Sequence, residues 1–299
     1  MSRKPPHPIP YQGSKRKLAP MIHSVLPTTI ETFYEPFAGS AAMTLYAAHH
    51  GLAKRFVIGD SLDAIIELWR SIIENPQKTS SRYAALWKGQ RDDNPDYFNS
   101  VRERYNSTHD PVDLLYLICR CVKNAVRFNA RGRFTQSPDK RRLGMAPEKM
   151  ADAILGASFL LKGKTELRAG DWLLTTSDAR PSDFVYMDPP YLGTTVGRDK
   201  RYHQQLERER LISGLETMNQ RGIRFALSYD GMTGGKEYGP PLPDYLRMTR
   251  LLLHAGRSSQ ATLQGRSDET IESLYLSGNL RAPENLTNQR ALQQVLGKV

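Results

Sequence analysis

Apolar positions along the chain recur in two rhythms. Short runs at Thr32–Phe37, Phe56–Asp60, Glu166–Gly170, Asp183–Met187, Ile223–Tyr229 and Ile271–Leu276 have the length and composition of buried strands. Between them the spacing changes to every third or fourth residue. Leu18, Met21, Ile22, Val25 and Leu26 fall on one helical face, and Met43–His50, Leu62–Ile73 and 204–220 read as further helices. Strands alternating with helices predict an α/β fold. The alternation lapses from Asn75-Pro76 to about residue 164. There the pattern predicts helices near 95–105 and 111–125, the second opened by Asp110-Pro111, separated by polar loops. Arg127-Phe128-Asn129-Ala130-Arg131-Gly132-Arg133-Phe134-Thr135 reads as a β-hairpin turning at Arg131-Gly132. The division is therefore 1–75 and 165–299 as one α/β body, interrupted by a mainly helical insert, 76–164, that carries the hairpin. Residues 230–243 read as a Gly/Pro-rich loop, 280–299 as an exposed helix, and Leu192–Tyr202 as a polar loop long enough to close over a site.

The run 183–187 stops at Asp188-Pro189-Pro190-Tyr191. Proline fixes its own φ and has no N–H, so this is a stiff corner beyond the carboxyl end of a strand, where open α/β sheets place ligands. It offers a carboxylate, a rigid Pro189 carbonyl and the Tyr191 ring. That set suits a planar heterocycle with an exocyclic amine: Asp188 and Pro189 accept from the amine while Tyr191 stacks. A Pro-rich turn with a solvated Asp188 is the plainer alternative. Strand 32–37 leads through Ala38-Gly39-Ser40-Ala41-Ala42 into a helix, a turn small enough for a backbone to approach a nucleotide-like ligand, although it lacks the three glycines of the dinucleotide fingerprint. Asp60 ends the next strand 21 residues after Gly39, the spacing of an acid that holds ribose hydroxyls. It could equally cap the following helix. Asp171 and Trp172 follow the strand at 166, where Asp171 could accept from an adenine amine or simply serve a turn. Tyr11-Gln12-Gly13-Ser14-Lys15 predicts a turn into a helix with Ser14 as its cap and Lys15 at its start.

Charge sharpens this picture. Lys and Arg total 42 against 31 Asp and Glu, a net +11. Residues 1–20 hold five basic side chains and no acid, and residues 120–149 hold nine against Asp139 and Glu148, so the two patches carry the whole excess. Concentrated positive charge points to a polyanion, most simply nucleic acid. In the second patch Arg127, Arg131 and Arg133 alternate with Phe128 and Asn129, followed by Lys140, Arg141 and Arg142. Arg can read guanine, Asn adenine, and Phe can wedge into a base stack; a solvated loop with Phe128 and Phe134 as its small core is the alternative. Cys119 and Cys121, the two cysteines, sit too close to staple distant segments, no ligand set suggests a metal, and no apolar run suits a membrane or a signal peptide. A cytoplasmic enzyme is expected.

Together these pieces resemble the Dam-like DNA adenine-N6 methyltransferases. The carrying residues are Tyr11–Lys15, Phe33-Tyr34-Glu35-Pro36-Phe37-Ala38-Gly39, Asp60, Arg127–Phe134, Asp171, Asp188–Tyr191 and the stretch Ala255–Leu276. Members often have a second glycine where Ser40 and Ala41 stand. The resemblance implies a Rossmann-like methyltransferase sheet with an inserted target-recognition domain, S-adenosylmethionine as cofactor, and double-stranded DNA as partner in a bacterial or phage setting. It leaves a cognate restriction endonuclease open. By resemblance, Tyr11, Lys15, Glu35, Pro36, Phe37, Gly39, Ser40, Ala41, Asp60, Asp171, Trp172 and Asp188 would line the cofactor, and Asp188, Pro189 and Tyr191 would be catalytic. The insert would read DNA through Arg127, Phe128, Asn129, Arg131, Arg133, Lys140, Arg141 and Arg142, with Phe128 filling the gap left by a flipped adenine. An RNA-adenine or cytosine-N4 methyltransferase, and an inactive DNA-binding relative, remain as alternatives.

Overall fold

In the computed structural model, which describes residues 4–90, 96–190, 208–233, 236–237, 240–257 and 269–282, the strand-like runs join a single sheet. In chain order its strands are β1 (Ile30–Glu35), β2 (Ala53–Asp60), β3 (Thr165–Ala169), β4 (Phe184–Met187), β5 (Arg224–Thr233), the short β6 (Lys236–Glu237), β7 (Thr249–Arg257) and β8 (Glu269–Leu276). They lie in the order β3-β2-β1-β4-β5-β8-β7, with β6 paired to β5. The first five are parallel, and β8 runs antiparallel between β5 and β7. The chain winds outward from β1 to β3 and then returns to the other side of β1, so the winding reverses between β1 and β4. Ligand crevices in open sheets form at such a reversal.

Central strands buried on both faces lose the alternation of half-exposed ones. All four residues of β4 are buried. Phe184 and Tyr186 pack into the core on one face, and Val185 and Met187 into the core on the other. The first face is covered by α1 (Ala19–His23), α2 (Ala42–His49), α3 (Asp63–Glu74) and the helices between α3 and β3. Those are α4 (Pro76–Gly89), α5 (Tyr97–Thr108), α6 (Pro111–Arg120) and α7 (Pro147–Leu161). Tyr83, Val101, Leu114 and Ile154 of the insert share one apolar cluster with Phe33, Ile65 and Trp69 of the α/β body. Asp113, fully buried, draws α4, α5 and α6 together by pairing with Arg82 at 3.1 Å and with Arg104 at 2.7 Å. On the second face lie α8 (Trp172–Thr175) and α9 (Arg208–Gln220).

Several elements depart from the sequence expectation. Asn75-Pro76, read as a break, opens α4 with proline in its first turn, where the missing N–H costs nothing. Pro147 opens α7 in the same way. The second insert helix begins as expected, with Asp110 accepting from Val112 N at 2.9 Å and Asp113 N at 3.1 Å, but it ends at Arg120 rather than 125 because Cys121 turns extended. Ser14 caps nothing; its hydroxyl oxygen accepts from Ser40 Oγ at 2.9 Å. The loop expected from 230 starts late, since β5 continues to Thr233 through a bulge between Ser228 and Gly231. The loop Leu192–Tyr202, the helix expected at 280–299 beyond residue 282, and Tyr191 lie outside the described residues. Among the described residues no helix is long and apolar enough to cross a membrane, and no group of three potential metal ligands converges.

Candidate active site

Three acids stand at or just past the carboxyl ends of adjacent strands: Glu35 on β1, Asp60 on β2 and Asp188 after β4. The turn after β1 is held by two left-handed residues, Gly39 (φ 47°) and Ala41 (φ 46°). Glycine is needed at 39 for space as well, because a Cβ there would stand 3.0 Å from Cε1 of Tyr11. The Gly39 carbonyl accepts from Trp69 Nε1 at 3.0 Å, and its N–H donates to Asp60 Oδ2 at 2.9 Å. The other Asp60 oxygen accepts from Leu62 N at 3.0 Å. Burial pushes the Asp60 carboxyl above the ordinary range, and hydrogen bonds from Leu62, Gly39 and Ser61 oppose that rise. Glu35 is buried beneath α2, accepting from Thr44 N at 2.7 Å and Met43 N at 3.4 Å. Loss of solvation pushes its carboxyl up to about 7, despite those hydrogen bonds and the positive end of the helix. Pro36 lies against the same strand ends, its Cα 3.3 Å from where a Gly59 Cβ would stand.

At the rigid corner both Asp188 oxygens accept from Lys15 Nζ at 2.8 Å. Lys15, with a side chain only 7% exposed, also donates to the Gly13 carbonyl at 3.2 Å and stands 3.5 Å from Glu272 Oε2. Burial alone would lower the proton affinity of this ammonium. Asp188 and Glu272 outweigh that and raise it above the usual lysine range, so Lys15 is charged. Pro189 is buried, and behind the corner Tyr186 and Ser228 share a hydrogen bond of 2.8 Å between their hydroxyls.

Beyond β3, Asp171 caps α8 through Leu173 N at 3.0 Å and pairs with Arg210 at 2.8 Å. Trp172 is buried with its ring 5.8 Å from that of Phe37, and its Nε1 has no hydrogen-bond partner among the described residues. Thus Tyr11, Lys15, Glu35, Pro36, Phe37, Gly39, Ser40, Ala41, Asp60, Trp172 and Asp188 gather around the strand ends, while Asp171 is drawn outward to α9.

The hairpin forms where expected, with Phe128 bridging Phe134, and it stands on α5 rather than on the sheet. Phe134 N donates to Asn106 Oδ1 at 2.7 Å, Asn106 Nδ2 returns a bond to the Phe134 carbonyl, and Arg133 pairs with Glu103. Gly132 (φ 72°) closes the turn begun at Asn129, whose Oδ1 accepts from the backbone of Arg131 and Arg133. Phe128, the expected wedge, is half-buried and sits against Phe134 and Tyr105 at centroid distances of 5.7 and 6.3 Å. The exposed tip is Ala130-Arg131-Gly132. Arg127 is half-buried, Lys140 is exposed, and Arg141 and Arg142 both pair with Asp139.

Glu272, Tyr186, Ser228 and Trp69 belong to the site but carried no motif. Glu272 had one signal available: an acid in the same alternation as Leu274 and Leu276 on a strand whose face is otherwise core.

Comparison with known proteins converges on one group. The sequence model of the D12 class of N6 adenine-specific DNA methyltransferases matches residues 11–280. Modification methylase StsI of Streptococcus sanguinis is 29% identical over 97% of this chain and 42% of its own length. Type II methyltransferase M.FokI of Planomicrobium okeanokoites is 26% identical over 90% of this chain and likewise 42% of its own. A DNA N-6-adenine-methyltransferase of Escherichia phage P1 is 26% identical over 46% of the chain. The chain thus spans less than half the length of these relatives. The chain belongs to the D12 class of N6 adenine-specific DNA methyltransferases.

Proposed function

We propose that this protein methylates the N6 amine of adenine at specific sites in duplex DNA, with S-adenosylmethionine as methyl donor. The observation that carries this reading is the corner itself. Asp188, held by Lys15 at 2.8 Å, and the adjoining Pro189 carbonyl sit at the winding reversal beside the small-residue turn.

The residues around the strand ends suit a cationic nucleoside. Asp60 and Asp188 supply carboxylate acceptors, Gly39 brings backbone close, and Trp172 Nε1 beside Phe37 is a buried donor with no acceptor among the described residues. Asp60 accepts from Gly39, Leu62 and Ser61, which leaves one of its four lone-pair sites for a ribose hydroxyl. The Ser40 and Ala41 backbones and Tyr11 would border the methionine part, and Asp171, if released by Arg210, the adenine amine. When bound, the cofactor would supply an electrophilic methyl and keep the sulfur as a thioether, and the methylated amine would give up one proton to solvent.

The work of the chain is orientation and charge. An adenine amine is a weak nucleophile because its lone pair is delocalised into the ring. Accepting its two protons at Asp188 and the Pro189 carbonyl draws the nitrogen toward tetrahedral geometry and stabilises the positive charge that develops there. Tyr191 would stack on the extruded base, offsetting part of the few kcal/mol lost on unstacking. The insert meets DNA through Arg127, Asn129, Arg131, Arg133, Lys140, Arg141 and Arg142, with the exposed tip entering a groove. The type II and modification names borne by the relatives make a cognate endonuclease the expected second partner.

Sequencing DNA for modified bases after expression in a methylation-free host tests the reading. N6-methyladenine confined to one motif supports it. N4-methylcytosine overturns the base assignment, and unmodified DNA with no binding of S-adenosylmethionine points to an inactive DNA-binding protein.

A further inference from the structure

The hairpin that carries Arg131 has two strands, and a hairpin of that size is marginal in water without further support. Its strands meet at the bridge Phe128–Phe134. The flanking bonds run from Asn129 N to the Arg133 carbonyl at 2.9 Å and from Thr135 N to the Arg127 carbonyl at 3.1 Å. In an antiparallel pair this turns the N–H and C=O of Phe134 away from the partner strand. Phe134 is 1% exposed, so both groups need a partner inside the protein.

One side chain meets both. Asn106, on α5, accepts from Phe134 N at 2.7 Å and donates to the Phe134 carbonyl at 3.2 Å. A carboxamide holds an acceptor and a donor side by side, and this one stands where the backbone of a third strand would. The same helix adds Arg102, whose Nη1 donates to the Gln136 carbonyl at 3.0 Å, and Tyr105, whose ring lies 6.2 Å from that of Phe134. Helix α5 is fixed in turn by Arg104, which donates to the two oxygens of the fully buried Asp113 at 2.7 and 2.8 Å. A short chain of bonds through Asn106 thus joins the exposed tip to the interior. A bidentate bond to a base edge tolerates little displacement. The place of the tip therefore matters more to discrimination between sequences than to attraction for phosphate.

We propose that Asn106 is a positioning residue for sequence discrimination: without touching a base, it sets the place from which the hairpin tip reads one. The inference rests on the reading of that tip, through Arg131, as a base reader.

With the motif known from sequencing of modified DNA, the test is a ratio measured on the full chain. It compares kcat/KM on a cognate duplex with kcat/KM on duplexes changed at one base pair, with donor affinity and melting temperature measured alongside. Asn106→Ala should lower the ratio by at least about fivefold, within the range of one lost base contact. Donor affinity should stay within about twofold, as expected of a distant site with no shared partners. Asn106→Asp keeps the acceptor for Phe134 N–H and loses the donor, so it should lower the ratio less. In an Arg131→Ala background Asn106→Ala should bring no further loss at the position that Arg131 reads. Wild-type discrimination in Asn106→Ala overturns the proposal, as does wild-type discrimination in Asn106→Asp should the alanine variant not fold. So do an equal fall of kcat/KM on every duplex and an additive loss beside Arg131→Ala. Wild-type discrimination in Arg131→Ala would instead remove the reading beneath it.

Discussion

Asp60 Oδ2 accepts the backbone N–H of Gly39 at 2.9 Å, so the last residue of β2 fixes the turn that follows β1. One carboxylate thereby shapes the loop expected to meet the cofactor and faces the same space. Asp60→Ala leaves the Gly39 and Leu62 N–H groups without their acceptor, a loss of about 1–3 kcal/mol. Both the denaturant midpoint and the donor affinity should fall, and Asp60→Asn should fall less because it keeps an acceptor oxygen. Lost affinity at undiminished stability would show that the carboxylate holds no loop.

Gly59 has no room for a methyl group. A Cβ there would lie 2.5 Å from Thr175 Cγ2 and 3.3 Å from Pro36 Cα. Gly59→Ala should destabilise by about 1–3 kcal/mol, as overpacking does. Thr175→Ala in the same chain should restore most of it, and a double variant no better than the single would place the strain at Pro36.

Glu35 makes stability depend on pH. Its carboxyl moves from an ordinary 4.5 to about 7 on folding. As pH rises through this window the unfolded chain releases its proton first, so folding loses free energy between pH 4.5 and about 7; below the window the group has no effect, and above it the full loss persists. The upper bound is about 3 kcal/mol. Denaturation of wild type and Glu35→Gln across the window should show the balance shifting toward the variant as pH rises. A constant difference would mean that Glu35 titrates alike in both states.

Asp188→Ala should lower turnover by about a hundredfold or more while donor affinity, read by calorimetry, changes little. The fold should survive, because Glu272 still faces the buried Lys15 at 3.5 Å. Transfer at the normal rate would refute the role given to Asp188.

The hairpin tip and the basic loop should separate in DNA binding. Arg131→Ala should relax sequence preference at one position, by about 1–3 kcal/mol. Lys140→Ala should weaken binding to all sequences alike and reduce the slope of log K against log salt by about one. Equal effects of the two on cognate and random DNA would remove the tip from base reading.

The sequence disclosed what is local. Phe33-Tyr34 of β1, Phe56–Ile58 of β2 and all of β4 are short apolar runs followed by an acid or by Asp188-Pro189, and the hairpin is marked by Gly132 between basic residues. α4 was hidden because its buried positions, Thr79, Tyr83 and Leu86, are sparse among polar neighbours. The seat of Phe128 was not legible, because Tyr105, which lies beside it, comes from another element. Glu272 and the Asp171–Arg210 pair depend on strands and helices meeting across the sheet, and no local spacing encodes that.

Because helices α4–α7 bury their apolar sides in the same cluster as α2 and α3, residues 76–164 cannot be lifted out as a cassette. A chimaera that exchanged them whole would have to rebuild their share of that cluster. On the proposed role of the hairpin, retargeting would belong to the exposed residues between Asn129 and Arg133, which can be rewritten while the shared interior stays as it is.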